Sequence, residues 1–397
     1  MVTVQDATAR ILQALYTPRI ESIPLAQTNG RVLAEKITAD RDLPPFDRAT
    51  MDGIAIAYDA WREGWRTFLL QGTQAAGMPA QRLSTSIEAF EIMTGAILPD
   101  GTDTVVRYED VSISDGSATI TADLLERGQN IHYRGSDARL DSLLLEPGLI
   151  LSSAEVAVLA STGKSFVNVF APPRAAVVST GDELVDVDET PLPHQVRRSN
   201  GYALVAALEA LHVNASLSHL PDDKDVLQAK LHDLVEINDV IILSGGVSKG
   251  KFDFVPEVLE SLGVARHFHQ VSQRPGKPFW FGASAGGKTV FALPGNPVST
   301  FLCFLRYVKP WLLQSLGVQT APAYAVLARP FSFPPRVTYF LQVSVRNEQG
   351  RLMAYPDAGG GSGDFANLKN VTGFLELPLE QTQFQAGEVF PYWPFRG

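Results

Sequence analysis

Residues Val240, Ile241, Ile242 and Leu243 form an unbroken apolar run, mostly β-branched, that ends at once in Ser244-Gly245-Gly246. A run this short with no polar alternation predicts a strand buried on both faces. A helical pattern resumes after Asp253, so the stretch reads as strand, glycine turn and helix. In an open α/β sheet, ligands sit at that kind of junction. Glycine lets backbone N–H groups approach an anion with no Cβ between them, and the following helix adds its positive end. Lys249 and Lys251 flank the turn, and Asp253 offers a carboxylate at the helix start.

The surrounding sequence repeats the alternation. From Arg174 onward it predicts a strand AAVVSTG, a helix from about Tyr202 to Leu211, a strand VNASLSHL, and a helix from Lys224 to Val235. VIILSGG follows as a strand, then a helix from Val255, a strand KTVFALPG and a helix from about Val298. Strands alternating with helices imply a doubly wound, mostly parallel sheet with right-handed crossovers. Three strands end in small-residue turns: Ser179-Thr180-Gly181, Ser244-Gly245-Gly246 and Pro294-Gly295-Asn296. Parallel strands end on one edge of such a sheet, so these turns are expected to be neighbours.

At 397 residues the chain exceeds one core. An amphipathic helix is expected over residues 4 to 16, followed by irregular sequence around Pro44-Pro45 and a mostly β lobe to about residue 125. A further helix is expected after Ser152 or Ser153, with a boundary at Ala171-Pro172-Pro173. After Gln319 a Pro-rich β pattern without helical period predicts a small barrel or sandwich. The expected modules are a connector (1–42 and 140–171), an inserted β lobe (43–139), an α/β domain (172–318) and a C-terminal β-barrel (319–397).

The net charge of -10 argues against general nucleic-acid binding. Cations nonetheless gather in four loop segments. Arg134, Arg139, Arg197, Arg198, Lys249, Lys251, Arg274 and Lys277 share them with only Asp137 and Asp253. An acidic protein that concentrates cations in loops suits a small anion. Cys303 is the single cysteine, which excludes a disulfide framework and a cysteine metal site. The N-terminus lacks the pattern of a signal peptide, and no apolar run approaches the ~20 residues of a membrane span, so a cytoplasmic protein is expected.

The motifs DLPPFDRATMDGIAI, EIMTGAILPDGTDTVV, GQNIHYRGSD, VVSTGDEL, RRSNGYAL, LSGGVSKG, RPGKPFWFG and LPGNPVSTF occur in the order seen in one family. The chain resembles the MoeA family, the molybdopterin molybdenumtransferases, related to the gephyrin E domain. The resemblance covers essentially the whole chain. It implies a doubly wound α/β/α domain of molybdopterin-binding type, an inserted β lobe, a connector and a C-terminal β-barrel. It also implies a homodimer in which the β lobe of one subunit faces the α/β domain of the other. The implied reaction inserts molybdate into adenylated molybdopterin and releases AMP, with Mg²⁺ or a similar divalent ion. A transient contact with a molybdopterin adenylyltransferase is implied, and no nucleic-acid or membrane partner.

Carried over by resemblance, Asp52, Thr94, Asp137, Glu183 and Asp253 are the catalytic candidates, with Glu183 and Asp253 as metal ligands. Ser244, Gly245 and Gly246 would hold a terminal phosphate, flanked by Ser248 and Lys249. Ser179, Thr180, Gly181 and Asp222 would belong to the same cleft. Arg274, Lys277 and Pro278 would line the molybdate pocket, with Ser362 reaching in from the last module. Pro294, Gly295, Asn296 and Pro297 complete the substrate-binding set. Backbone N–H, Lys and Arg suit oxyanions, and carboxylates suit a hard divalent cation. Taken singly, Asp182, Asp222 and Asp223 also read as helix caps or turn residues.

Several positions depart from the family pattern. His132 stands where Arg is common and Ser136 where Glu is common. Lys249 and Lys251 stand where an acidic residue is usual. Arg274 replaces the usual Lys, and Gln342 replaces an Arg expected in the first strands of the last module. The losses at His132 and Gln342 leave two readings: an active molybdenumtransferase with a rearranged anion cradle, or a homologue that binds a pterin or nucleotide phosphate, or a partner protein, without efficient metal insertion.

Overall fold

The computed structural model describes residues 1–247 and 254–396. Ser248, Lys249, Lys251 and Asp253 lie outside the described residues. The chain divides into two compact units: Met1–Ala34, Pro147–Ser152 and Phe166–Gly397 form one, and Glu35–Glu146 with Ser153–Ser165 the other.

The first unit is built on a six-stranded sheet: β1 (Ala175–Thr180), β2 (Ala215–Leu220), β3 (Val240–Ser244), β4 (Val264–His269), β5 (Trp280–Ser284) and β6 (Thr289–Leu293), in spatial order β2-β1-β3-β6-β5-β4. The pairings β1–β2, β1–β3 and β3–β6 are parallel. β5 and β4 add an antiparallel edge. The sequence pattern does not announce that edge, because Arg266, His267 and His269 break the apolar run of β4.

Successive residues of one strand face opposite cores, which explains the unbroken apolar runs. Val177 and Ile242 join one core; Val178, Ile241 and Leu243 join the other. Each of these fully buried large side chains contributes roughly 1.5–3 kcal/mol. The first core is covered by α1 (Val4–Leu12), α2 (Ser199–Glu209) and α5 (Pro297–Cys303). The second is covered by α3 (Lys224–Ile237) and α4 (Val255–Ser261). The first helix ends at Leu12, short of the expected residue 16, and α2 begins at Ser199, before the expected Tyr202.

Asp223 caps α3: its carboxylate accepts from the N–H groups of Asp225 (3.0 Å) and Val226 (2.9 Å). Asp223→Ala is expected to lose about 1 kcal/mol. Urea denaturation reads this as a lower midpoint at unchanged slope, and an unmoved midpoint would refute the cap's contribution.

α5 runs into a π-helical turn at Phe304–Val308 before Lys309–Ser315 resumes as α-helix. One extra residue per turn redirects the side chains. Arg306 meets Glu376 of the C-terminal module, and Tyr307 meets Gln273. That module is a closed barrel in which Thr338–Glu348 pairs with both Arg351–Pro356 and Gly373–Leu377, and Ala323–Leu327 and Val389–Pro394 complete the ring. Its only helical element among the described residues is a short 3₁₀ segment, Phe365–Lys369. Gln273–Arg274 adds to the barrel as a parallel strand beside Thr338–Tyr339.

The second unit carries a six-stranded sheet in which Gly53–Ile56 lies between Thr104–Arg107 and Glu88–Ile92. A Cβ at Gly53 would stand 1.9 Å from the Val106 carbonyl oxygen, so only glycine fits in the MDG motif. Ser153–Ser161 forms the helix expected after the β lobe. Among the described residues no helix is long and apolar enough to cross a membrane.

Candidate functional site

The carboxyl ends of β1, β3 and β6 meet at a cavity of about 840 Å³. Ser179, Thr180 and Gly181 line it from β1, Ser244, Gly245 and Gly246 from β3, and Pro294 to Pro297 from β6 and the start of α5. The three small-residue turns are neighbours because β1 and β6 both pair with β3: Ser179 and Leu293 are each in register with Ser244. Gly245 has φ +104°, and a Cβ there would meet the Thr180 carbonyl oxygen at 2.6 Å. Conformation and space both require glycine at that turn.

The hydroxyls of Ser179 and Thr180 are buried, and neither has a hydrogen-bond partner among the described residues. Buried hydroxyls without partners are costly, and a ligand that bonds to them removes the cost. Glu183 and Asp222 line the same cavity. The Asp222 N–H donates to Asp182 Oδ1 at 3.1 Å, so Asp182 is a turn residue here.

Asn200, inside the RRSNGYAL motif, emerges as a site residue only from the structure. Its Nδ2 lies 2.9 Å from Ser244 Oγ, 2.7 Å from the Gly295 carbonyl and 3.2 Å from Thr300 Oγ1. It joins two of the turns, and sequence offers no signal for contacts that distant. Arg198 also reaches the cavity wall, paired with Asp186. The Val187 N–H, then Arg198 and Tyr202, hold the Asp186 carboxyl at about 2. Its stabilising interactions are present above the ordinary carboxylate range and are lost only as pH falls through about 2.

A second cavity of about 380 Å³ shares Pro278, Pro294, Gly295 and Asn296 with the first. Arg274, Lys277, Ser362 and Gln342 line it. Ser362 is held there by Asn296, whose Nδ2 donates to its hydroxyl at 2.8 Å, and its carbonyl accepts from the Val298 N–H at 3.1 Å. Gln342, which the sequence marks as a lost cation, does face this cavity. Its side chain is buried, accepting from Asn367 at 3.3 Å and donating to the Ala358 carbonyl at 3.4 Å.

The remaining candidates lie in the other unit. Asp52 Oδ1 accepts from both the N–H (2.6 Å) and the hydroxyl (2.7 Å) of Thr94. Those bonds, the backbone one first, hold the Asp52 carboxyl below its ordinary range. Asp137 accepts from His132 Nε2 at 2.8 Å, and His132 Nδ1 lies 3.2 Å from the Arg48 guanidinium. Arginine only donates, so Nδ1 accepts and the ring proton sits on Nε2, facing Asp137. His132, which stands where the sequence pattern expects arginine, thus bridges Arg48 and Asp137. Ser136 Oγ lies 3.5 Å from the same carboxylate. Tyr108 is pushed up to about 12 by burial and then by the Glu91 charge.

Among the described residues no three His, Cys, Asp or Glu side chains cluster as a ready metal site. Glu183 brings a hard carboxylate to the larger cavity, which fits Mg²⁺ as one ligand of several. Its other expected ligand, Asp253, lies outside the described residues.

Two cavities that share a wall lie at the carboxyl edge of a mostly parallel sheet, one floored by glycine turns and one lined by Arg274 and Lys277, the architecture of an α/β protein with a cleft suited to anions. Family models match along the chain: the MoeA N-terminal region (domain I and II) over residues 2–163, a probable molybdopterin binding domain over 176–314, and the MoeA C-terminal region (domain IV) over 324–395. The molybdopterin molybdenumtransferase of Synechocystis sp. is 43% identical over 368 residues, covering 92% of each chain. That of Bacillus subtilis is 32% identical over 400 residues, covering 98% of this chain and 93% of its own. The crystal structure of a molybdopterin biosynthesis MoeA protein from Pyrococcus horikoshii OT3 superimposes with a TM-score of 0.85 at 26% identity, covering 100% of both chains. The chain belongs to the MoeA family.

Proposed function

We propose that this protein is a molybdopterin molybdenumtransferase, which inserts molybdate into adenylated molybdopterin and releases AMP. The observation that carries this reading is the shared wall of the two cavities. A substrate anchored by its phosphate at Ser244–Gly246 and a tetrahedral dianion bound at Arg274 and Lys277 would be neighbours, as insertion of the metal oxyanion into the anchored substrate requires. Glu183, with Asp253, would hold a divalent ion that neutralises charge on the phosphates. Asp52, held ionised by Thr94, is better suited to orient a donor than to store a proton. Asp137, which accepts from His132 Nε2, would offer a second oriented carboxylate. We further propose a cytoplasmic homodimer that joins these carboxylates to the cavities of its partner, a transient contact with an adenylyltransferase that supplies the substrate, and the four-module division given above.

The test is AMP release from adenylated molybdopterin with Mg²⁺ present as molybdate is titrated. Molybdate-dependent release with cofactor formed supports the reading. Tight substrate binding with no release at any molybdate level replaces it with a pterin- or nucleotide-phosphate-binding homologue that does not insert metal efficiently, the outcome that Gln342 in place of a cation favours.

The same assay probes Gln342 directly. Gln342→Arg puts a fixed positive charge on the smaller cavity and is expected to lower the apparent KM for molybdate roughly three- to tenfold. An unchanged molybdate dependence would place Gln342 away from the anion.

A further inference from the structure

Gln273 is 2% exposed, yet its amide is fully engaged. Its Nε2 lies 3.1 Å from the Pro275 carbonyl, 3.3 Å from the Gly276 carbonyl and 3.6 Å from Cys303 Sγ. Its Oε1 accepts from the buried Tyr307 hydroxyl. Two carbonyls facing one end of the amide require nitrogen at that end, so the amide has one permitted orientation. Burial raises both the Tyr307 phenol and the Cys303 thiol, which keeps the phenol a donor and the thiol uncharged.

The consequence falls on the turn that lines the smaller cavity. In a trans peptide the N–H points opposite to the C=O of the same unit. With the Pro275 and Gly276 carbonyls drawn toward Gln273, the N–H groups of Gly276 and Lys277 point away from it. Neither N–H has a protein acceptor among the described residues. Gly276 has φ +90°, and a Cβ there would meet Gln273 Nε2 at 2.6 Å and Cys303 Sγ at 2.8 Å, so the turn rests directly on the amide. Successive outward N–H groups at such a turn form an anion-binding nest.

We propose that Gln273, oriented by Tyr307, is a positioning residue for oxyanion binding: it turns the Pro275–Lys277 peptides so that their N–H groups, with Arg274 and Lys277, present donors to a tetrahedral dianion. The proposal rests on the transferase reading for the identity of the anion. Without the amide, the two carbonyls are released, and either one swung outward would set partial negative charge against the dianion.

Calorimetric titration with tungstate, alone and with no pterin present, tests this apart from turnover. Gln273→Met keeps the volume but loses both donors, and is expected to weaken tungstate binding about tenfold, the size of one lost hydrogen bond to a charged group. Gln273→Glu, an acceptor facing two carbonyls, is expected to weaken it further. Tyr307→Phe, which leaves the Gln273 donors in place but removes the hydroxyl that holds its Oε1, is expected to weaken binding less than Gln273→Met does. In the AMP-release assay the loss appears in the apparent KM for molybdate rather than in kcat. Binding equal to the parent in folded Gln273→Met overturns the proposal, as does a parent protein that binds no oxyanion. A parent that binds tungstate but releases no AMP overturns the transferase reading and leaves the positioning role standing.

Discussion

Asp52→Ala is expected to lower molybdate-dependent AMP release by about 10²–10⁴-fold, the range associated with loss of a positioned polar catalytic group. The side chain is exposed and, among the described residues, makes its bonds only to Thr94, so little packing is lost with it. The melting temperature is therefore expected to stay within a degree or two of the parent, as for an ordinary surface change. Since Thr94 holds the Asp52 carboxyl below its ordinary value, the favourable interaction is fully present above the unfolded-state value near 4 and is lost as pH falls through the lower, folded one. The group is therefore already ionised from about pH 5 to 8, and activity should show no Asp52-dependent decline across that window. Turnover within twofold of the parent in folded Asp52→Ala would remove this residue from the site.

Glu376→Leu is expected to destabilise the protein by about 3–5 kcal/mol, because it leaves a buried guanidinium without its counter-charge. Arg306 and Glu376 have side chains only 9% and 10% exposed, and Nε meets Oε2 at 2.8 Å. The same carboxylate accepts from Trp393 Nε1 at 2.8 Å, and Arg306 also reaches Thr8 Oγ1 at 3.1 Å. One ion pair therefore joins α1, the π-helical turn and the barrel. Chemical denaturation should show a much lower midpoint for Glu376→Leu. The double variant Arg306→Met with Glu376→Leu should recover most of the loss, since two apolar side chains leave no charge unpaired. A single variant as stable as the parent would refute the pair's structural role.

How much of this is legible in the sequence follows from where each signal resides. Strands β1, β3 and β6 are buried on both faces and leave continuous apolar runs, so they and the turns at their ends can be read directly. β4 mixes exposed and buried residues at the sheet edge, and its charged residues conceal it. The π-helical turn leaves no local pattern distinct from an α-helix. Gln342 stands out because a charge is missing there, whereas Asn200 bonds to partners 44 or more residues away and Gln273 is fixed by Cys303 and Tyr307, 30 or more residues away, whose proximity only the fold creates. Gln273 in particular looks like an ordinary polar residue before a basic turn. Its partners Cys303 and Tyr307 lie within an apolar helical stretch that reads as core.

The pairing of Gln273–Arg274 with Thr338–Tyr339 gives the smaller cavity a schedule as well as a shape. Its walls combine a turn from the middle of the chain with Gln342 and Ser362 from near its end. On the ribosome, the larger cavity has its three strands once β6 has emerged and lacks only Gly363 and Phe365, while the smaller cavity stays open until the barrel is made. A chain cut short before Ser362 would keep the three small-residue turns but lose Ser362 from the smaller cavity and Gly363 and Phe365 from the larger one.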